Sequence, residues 1–286
     1  MSWRPTLRPE APRRPVWAAL AVGLLVTASV VLGPASAPAA GQATSDLGSE
    51  EVVDWKWTSG ASWGREVMDG DRPGWPDWSA ARVFASRRFE RGTLGAELSR
   101  VQRFGLTDVE VGVDGYHELW SGAYGHVRLR VASDAMVLPD LDARVEVFQA
   151  LAGGWELSAN ARRMDFPSED VDVFGAGAAR YVGPWYLRQV VSVARLAGAS
   201  AVSGAFLARR FIAPPQEYVE VSGGVGSEVV LVGEGPTLDT RDTRFIQVRI
   251  QRFLLARWGV VAGLGYTTFE GAPSRIPISV GVIARH

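Results

Sequence analysis

The sequence predicts an all-β protein, a transmembrane antiparallel up-and-down β-barrel of about 14 strands, with about 12 as the alternative count. Three features support this prediction: long strand-like runs, alternation of aliphatic with charged residues inside those runs, and an N-terminal leader of the secretory type. A soluble β-sandwich would show the same alternation with its aliphatic face turned inward. The length and number of the runs, together with the leader, therefore decide between water and lipid as the surroundings.

The leader comprises residues 1–39 and is predicted to be a cleavable signal peptide. It carries four arginines, then the apolar run from Val16 to Leu32, then the small-residue site Ala37-Pro38-Ala39. This order is typical of a secretory signal, and an uncleaved membrane anchor is the alternative. Residues 40–51 are predicted to be a polar periplasmic lead-in, and residues 52–286 the outer-membrane barrel.

The composition fits a barrel better than a bundle of membrane helices. The chain has 32 glycines and no cysteine, and no segment after the leader offers a long, uninterrupted apolar stretch. A membrane helix needs about 18 or more such residues, so strands must make any crossing. Without its leader the chain is acidic overall, which makes nucleic acid an unexpected partner.

Strand-like runs follow one another from residue 52 to the C-terminus. Their lengths match the roughly 9 to 11 residues that a tilted strand needs to cross a bilayer. The predicted runs are 52–63, 77–89, 92–104, 106–117, 121–132, 142–152, 154–164, 170–181, 185–196, 200–211, 217–230, 241–253, 256–268 and 276–286.

The connections between the runs form an independent test. Bacterial outer-membrane barrels have short periplasmic turns and longer outer loops. Here the even-numbered connections are mostly short, whereas longer ones rich in Pro, Gly and Asp are predicted at 64–76, 133–141, 165–169, 231–240 and 270–275. An even strand count would leave both chain ends on the periplasmic side.

The stretch Leu106–Val131 shows the alternation most clearly and predicts one amphipathic β-hairpin. Valines and a leucine occupy one face, and Asp, Glu, His and Arg the other. A turn centred on Trp120 would set four cross-strand pairs. They are Glu110 with Arg130, Asp114 with His126, Val111 with Leu129, and Val113 with Val127.

In a barrel the charged face of each strand would line the lumen, and the aliphatic face would meet lipid. The same alternation recurs around Trp155 and around Ile246. The candidate lumen-lining residues are Glu110, Asp114, His126, Arg128, Arg130, Glu156, Arg162 and Arg249. We expect them to form a network of mixed sign that sets ion preference in an open barrel or helps to fill a closed one.

Aromatic residues near the ends of the runs are predicted to form girdles at the membrane interfaces, with ordinary core aromatics as the alternative. The candidates are Trp55, Trp57, Trp78, Phe104, Tyr116, Trp120, Trp155, Tyr181, Trp185, Tyr218 and Trp258.

Residues suited to catalysis are few. The three histidines are His117, His126 and His286, and the first two fall on opposite faces of the predicted hairpin, so they cannot share a site. His126 beside Asp114 could be a base with its orienting acid, but no nucleophile can be assigned to it. We therefore predict no catalytic residues, no metal site and no cofactor.

Several stretches resemble the YaiO family of outer-membrane β-barrel proteins. They are RFGLTDVEVGVDGYHELW, GWELSANARRMDF and ARYVGPWYLR, in this order, and the similarity covers residues 52–286. The resemblance implies a barrel of no established activity in the outer membrane of a Gram-negative bacterium, akin to the C-terminal barrels of polysaccharide-secretion channels. The chain departs from that pattern in having no helical-repeat region before the barrel. It also ends in Arg285-His286 where such barrels commonly end in an aromatic residue, which affects the expected assembly route.

The predicted function is that of a passive pore, or of the outer-membrane component of export or surface-polysaccharide traffic. The expected partners are outer-membrane lipid, the barrel-assembly machinery, and polysaccharide or small polar solutes. A barrel enzyme that modifies lipid or glycan is the alternative from another class. A plugged, purely structural barrel is the third possibility.

Overall fold

The computed structural model describes residues 55–69, 77–196, 199–232 and 237–286, so the predicted signal peptide and lead-in lie outside the described residues. No helix among the described residues is long and apolar enough to span a membrane. The strands are β1 Trp57–Met68, β2 Trp78–Phe89, β3 Gly92–Arg103, β4 Leu106–Trp120, β5 Ala123–Ala132, β6 Leu141–Ala150, β7 Trp155–Asp165, β8 Asp170–Val182, β9 Trp185–Leu196, β10 Ala199–Ala213, β11 Glu217–Val232, β12 Thr237–Phe253, β13 Trp258–Phe269 and β14 Ala272–Arg285.

Each strand pairs antiparallel with its neighbours in the sequence, and β1 pairs with β14 to close the barrel. The prediction of a 14-strand up-and-down barrel is confirmed. Thr58 lies opposite Arg285, so the start of β1 and the end of β14 meet at one rim, here called the terminal rim. The opposite end of the barrel is called the far rim. Closure leaves none of the fourteen described strands at an open edge of the sheet.

Three predicted connections were wrong. The first connection was placed at 64–76, but β1 continues to Met68 because Gly64 pairs with both Ser279 and Ala80. The eleventh was placed at 231–240, but β11 continues to Val232 and β12 already begins at Thr237. The last was placed at 270–275, but β14 already begins at Ala272. Pro273 suggested a loop there; it lies instead beside a register irregularity between β13 and β14, where a missing backbone N–H is tolerated.

The predicted pairing within the opening hairpin was also wrong by two residues. The turn lies at Ser121-Gly122, where Gly122 has a φ of 74°, and a bulge sits between Glu118 and Trp120. The observed pairs are Glu110 with Ala132, Asp114 with Arg128, Val111 with Val131, and Val113 with Leu129. A shift by an even number of residues keeps every side chain on its predicted face.

The aliphatic face of the hairpin points outward. Val111, Val113 and Val127 are 58%, 46% and 57% exposed, whereas Glu110 and Arg130 on the other face are each 5% exposed. The fold therefore places charged side chains inside and aliphatic side chains outside, which is the reverse of a soluble sandwich.

Tryptophans form a girdle around the outside of the terminal rim. Arginines lie over several of these rings: Arg87 is 5.4 Å from the Trp57 ring centroid and Arg180 is 5.0 Å from that of Trp155. The exposed members of the girdle are Trp57, Trp120, Trp155, Trp185 and Trp258. The girdle prediction was wrong for Trp78, Tyr116, Tyr181 and Tyr218, because their positions have the inward parity of their strands. Trp78 and Tyr218 are 2% and 0% exposed, and Tyr116 stacks on the inward ring of His126. Phe104 also lies inside, with its ring centroid 5.1 Å from that of Trp78.

A polar group marks the far-rim end of the apolar band. On β7 the outward side chains run from Trp155 through Leu157 to Arg163, which lies 2.8 Å from Asp165 and 3.4 Å from Asp172. With a rise of about 3.3 Å per residue and a tilt of about 40°, the two ends are roughly 20 Å apart along the barrel axis. This is close to the ~25 Å apolar band of outer-membrane barrels.

The opposite faces of β5 lead to a stability prediction. Replacing Val127 with Arg should lower the free energy of unfolding by about 2 to 4 kcal/mol, because the new charge would face hydrocarbon near the midplane. Replacing the neighbouring Arg128 with Ser, on the inward face, should be tolerated. Urea unfolding in lipid vesicles measures both changes, and equal losses for the two variants would contradict the assignment of faces.

Candidate functional site

The interior of the barrel is the candidate functional site, and a buried ion-pair cluster joins β2 to β5 within it. Arg82 pairs with Glu97, and Arg130 Nε lies 2.6 Å from Glu97 Oε1 and 3.7 Å from Glu110 Oε1. All four side chains belong to residues that are 5–7% exposed. Two cations and two anions balance each other, and removing one partner would leave a buried charge without compensation.

A second cluster joins β6, β7 and β9. Arg162 donates to both carboxylate oxygens of Asp142, at 2.7 and 2.8 Å. Glu146 accepts from Arg144 at 2.7 Å and also pairs with Arg188, whose guanidinium lies 3.1 Å from Ser158 Oγ. Bidentate and shared contacts of this kind are geometrically specific, so they fix the arginine side chains in place.

Aromatic side chains surround a third polar group near the terminal rim. The hydroxyls of Tyr124 and Tyr186 donate to the carboxylate of Glu156 at 2.8 and 3.0 Å. Tyr124 also stacks on Phe148, with ring centroids 4.5 Å apart. Glu156 is only 3% exposed, so these hydroxyls replace water as its hydrogen-bond partners.

A loop folds into the far-rim opening of the barrel. This loop, Ser133–Asp140, is called the mouth loop. Asp108 accepts hydrogen bonds from three consecutive backbone N–H groups of the loop, those of Met136, Val137 and Leu138, at 3.0, 2.7 and 2.8 Å. A carboxylate that accepts several backbone N–H groups is a strong local anchor. Asp108 is therefore a main anchor that holds the mouth loop inward.

The tip of the mouth loop lies in an apolar cluster just inside the far rim. Val137 is 2% exposed, and it packs among side chains contributed by β7 to β10 and β12. The other buried members of the cluster are Met164, Val171, Val173, Ala194, Leu196, Ala201 and Leu238. The interior is therefore apolar next to the far rim, whereas the part of the interior nearer the terminal rim is charged.

The structure places all eight predicted lumen residues on the inward face of the wall, and it brings only some of them together. Glu110 joins the first cluster, and His126 Nε2 lies 4.0 Å from Asp114. Arg249 stands apart on β12, 5.9 Å from the Tyr218 ring centroid. The other four lie on two strands: Arg128 and Arg130 on β5, and Glu156 and Arg162 on β7. A role of these residues in solute passage stays a prediction.

Sequence reasoning missed several inward charges that complete the clusters. They are Arg82, Glu97, Asp142, Glu146 and Arg188. The same alternation that located the eight candidates runs through β2, β3, β6 and β9, so applying it to every strand would have found them.

The residues around His126 offer little for catalysis. Its ring stacks on Tyr116 with centroids 4.3 Å apart, and no serine or threonine hydroxyl is hydrogen-bonded to it within the described part of the chain. His286 Nε2 lies 3.3 Å from Ser59 Oγ at the exposed terminal rim. No group of three or more His, Cys, Asp or Glu side chains in the described ranges is placed to hold a metal ion.

Comparison with known proteins identifies the family. The family model described as the YaiO membrane beta barrel domain matches residues 60–229. Curated proteins gave no match. The match confirms the resemblance that the sequence motifs suggested, and it spans more than half of the chain.

Solved structures show the same fold at low sequence identity. Omp33, an outer membrane protein of Acinetobacter baumannii, aligns with a TM-score of 0.53 at 9% identity, covering 81% of this chain and 98% of that one. The CymD monoaromatic hydrocarbon channel aligns with a TM-score of 0.56 at 7% identity, covering 81% and 89%. A bacterial polysaccharide outer membrane secretin aligns with a TM-score of 0.51 at 10% identity, covering 80% and 98%.

Together, the family match and the closed barrel with its apolar outer wall show where this protein resides. Its interior contains charged clusters, and its far-rim opening holds an inward loop. The chain belongs to the YaiO membrane β-barrel family and is an outer-membrane protein of a Gram-negative bacterium.

Proposed function

We propose that the barrel is a passive channel for polar solutes across the outer membrane, either by itself or as the outer-membrane component of an export system. The observation that carries this proposal is the inward face of β2 to β9, where charged and hydrogen-bonding side chains succeed one another around the wall. A barrel with only a structural role could fill its interior with apolar side chains at lower cost, because buried charges must be desolvated.

The chemistry of the interior suggests the class of solute. Arginines, carboxylates and tyrosine hydroxyls suit a solute that carries many hydrogen-bonding groups, such as a sugar or a polysaccharide chain. The CymD channel is named for monoaromatic hydrocarbons, and the charged interior here favours a different solute. Passage of polysaccharide would agree with the name of the polysaccharide secretin, whose likeness to this chain extends only to the fold.

The partners that we propose follow from the location. Outer-membrane lipid would surround the apolar outer wall, and the barrel-assembly machinery would insert the strands. A role as an enzyme that modifies lipid or glycan is not favoured, since His126 stacks on Tyr116 and no serine or threonine hydroxyl of the described residues is hydrogen-bonded to it.

The mouth loop would control the width of the channel. Its tip occupies the far-rim opening, and three backbone hydrogen bonds to Asp108 hold it there. In this proposal Asp108 is a positioning residue: it does not meet the solute but sets the position of the loop that does.

The first prediction from this proposal concerns the loop. Asp108→Ala removes the acceptor for three N–H groups, so the amides of residues 136–138 should exchange with deuterium at least about tenfold faster, since each net hydrogen bond to a charged group is worth about 1.5 to 3 kcal/mol. Asp140→Ala is the matched control, because Asp140 is an exposed residue of the same loop. Unchanged exchange in Asp108→Ala would show that the loop is held by other contacts.

The second prediction concerns function and uses planar-bilayer recordings of the refolded protein. The wild type should give single-channel currents of low conductance, because the mouth loop occupies the far-rim opening. Asp108→Ala should raise the conductance by freeing the loop, and Asp140→Ala should leave it as in the wild type. If neither the wild type nor Asp108→Ala conducts, the barrel is plugged and the channel proposal fails.

A further inference from the structure

Three arginines lie side by side on the inward wall of the barrel. Arg128 on β5 is the direct cross-strand partner of Arg144 on β6, which is in turn the partner of Arg162 on β7. We call this set the arginine row. The Cβ atoms of directly opposed residues are about 4.5 to 5.5 Å apart, and like charges in such positions destabilise a sheet. An arrangement that opposes the stability of the fold is expected chiefly at functional sites.

Nearby carboxylates neutralise only two members of the row. Arg162 is held by Asp142, and Arg144 lies 2.7 Å from Glu146. Asp114 is the cross-strand partner of Arg128 on β4, but no carboxylate oxygen in the described parts of the chain lies within 4.0 Å of the Arg128 guanidinium. The Nε of Arg128 is buried without a hydrogen-bond partner. A buried donor that is left without an acceptor is costly, so Arg128 is the position in the row where an anion would be bound most favourably.

A cavity of about 260 Å³ lies in front of the row. Six inward arginines line it, namely Arg82, Arg103, Arg128, Arg130, Arg144 and Arg162, together with three carboxylates, those of Glu66, Glu110 and Asp142. Each carboxylate already has an arginine partner: Glu66 lies 3.6 Å from Arg275, Glu110 3.7 Å from Arg130, and Asp142 2.7 Å from Arg162. Arg82 and Arg130 pair with Glu97, and Arg144 pairs with Glu146, so Arg128 is the member of the arginine row that faces the cavity without an ion pair.

We propose that the arginine row is a binding site for an oxyanion, a carboxylate, sulfate or phosphate group. Guanidinium groups match the planar or tetrahedral oxygens of such groups with paired hydrogen bonds. A bound anion would give Arg128 the acceptor that it lacks and would relieve the repulsion along the row. The inference rests on the proposed channel, since the anion would belong to a polar solute in transit. An acidic sugar and a free phosphate ion share this chemistry.

Isothermal titration of the full-length protein in detergent micelles tests the site, with sodium phosphate as the probe and ionic strength held constant with sodium chloride. The wild type should bind phosphate. Arg128→Gln should weaken binding about tenfold or more, as expected for the loss of hydrogen bonds between charged groups. Arg128→Lys, which keeps the charge, should retain most of the affinity.

The matched control is Arg195→Gln, which makes the same change on an exposed, outward side chain of β9 and should bind phosphate as the wild type does. Glucuronate and glucose are the second arm. Binding of glucuronate but not of glucose assigns the site to acidic sugars as well as to phosphate, and binding of phosphate alone assigns it to phosphate. Equal binding of glucose and glucuronate, no phosphate binding by the wild type, or equal phosphate affinity in the wild type and Arg128→Gln would overturn the proposal.

A stability measurement shows whether Arg128 serves anion binding or only supports the fold. Without anion, Arg128→Gln should unfold at the same or a higher urea concentration than the wild type, because it removes one of three like charges. A lower midpoint would mean that Arg128 supports the fold and would overturn the inference from repulsion. Phosphate binding in micelles can be measured whether or not the barrel conducts ions. Binding without conductance would refute the channel proposal alone. Conductance without phosphate binding would refute the oxyanion site alone.

Discussion

The structure depends on one constraint, which is that hydrocarbon offers no hydrogen-bond partner to the backbone. Each unpaired N–H or C=O group in the bilayer core would cost several kcal/mol, so a sheet that crosses the membrane has to close on itself. Here the pairing of β1 with β14 completes the circle, and His286 continues it with hydrogen bonds to the backbone of Trp57. The even strand number and the meeting of the start of β1 with the end of β14 at one rim follow from this closure, whereas the strand length follows from the thickness of the bilayer.

Closure also couples the two surfaces of the wall, since successive side chains of a strand point alternately outward and inward. The outward set must be apolar for lipid, and this leaves the inward set free to carry charge. Most of the inward charges are then paired, as Glu97 is with Arg82 and Arg130, so the interior is polar without being strongly destabilised. The mouth loop follows the same principle: Asp108 satisfies three of its backbone N–H groups in a place where water is scarce. Arg128 in the arginine row is the exception, and for that reason we assign the row a ligand.

The sequence predicted the barrel, its strand number and the direction of most side chains, because a period of two is a local property that each strand shows by itself. It did not predict the pairing of Asp114 with Arg128, since the register depends on a bulge near Glu118 that leaves no mark in the alternation. Nor did it predict that Trp78 turns inward under Arg275, or that the mouth loop enters the barrel. Such features depend on contacts between residues far apart in the chain. The ion-pair clusters were predictable only in part. The alternation along each strand shows which charged side chains face the interior, but only the register between strands shows which of them are in contact.

The central claim is that the barrel has a two-sided wall, with apolar side chains facing lipid and charged side chains facing the interior. Spin labels on single introduced cysteines test it most directly, because the chain contains no cysteine of its own. Labels would be placed in turn at residues 126 to 131 of the refolded protein in lipid vesicles. Collision with oxygen, which dissolves in lipid, would then be compared with collision with a water-soluble nickel chelate. We predict high oxygen accessibility at Val127, Leu129 and Val131 and low values at His126, Arg128 and Arg130. Accessibility without a period of two, or with the opposite phase, would contradict the two-sided wall.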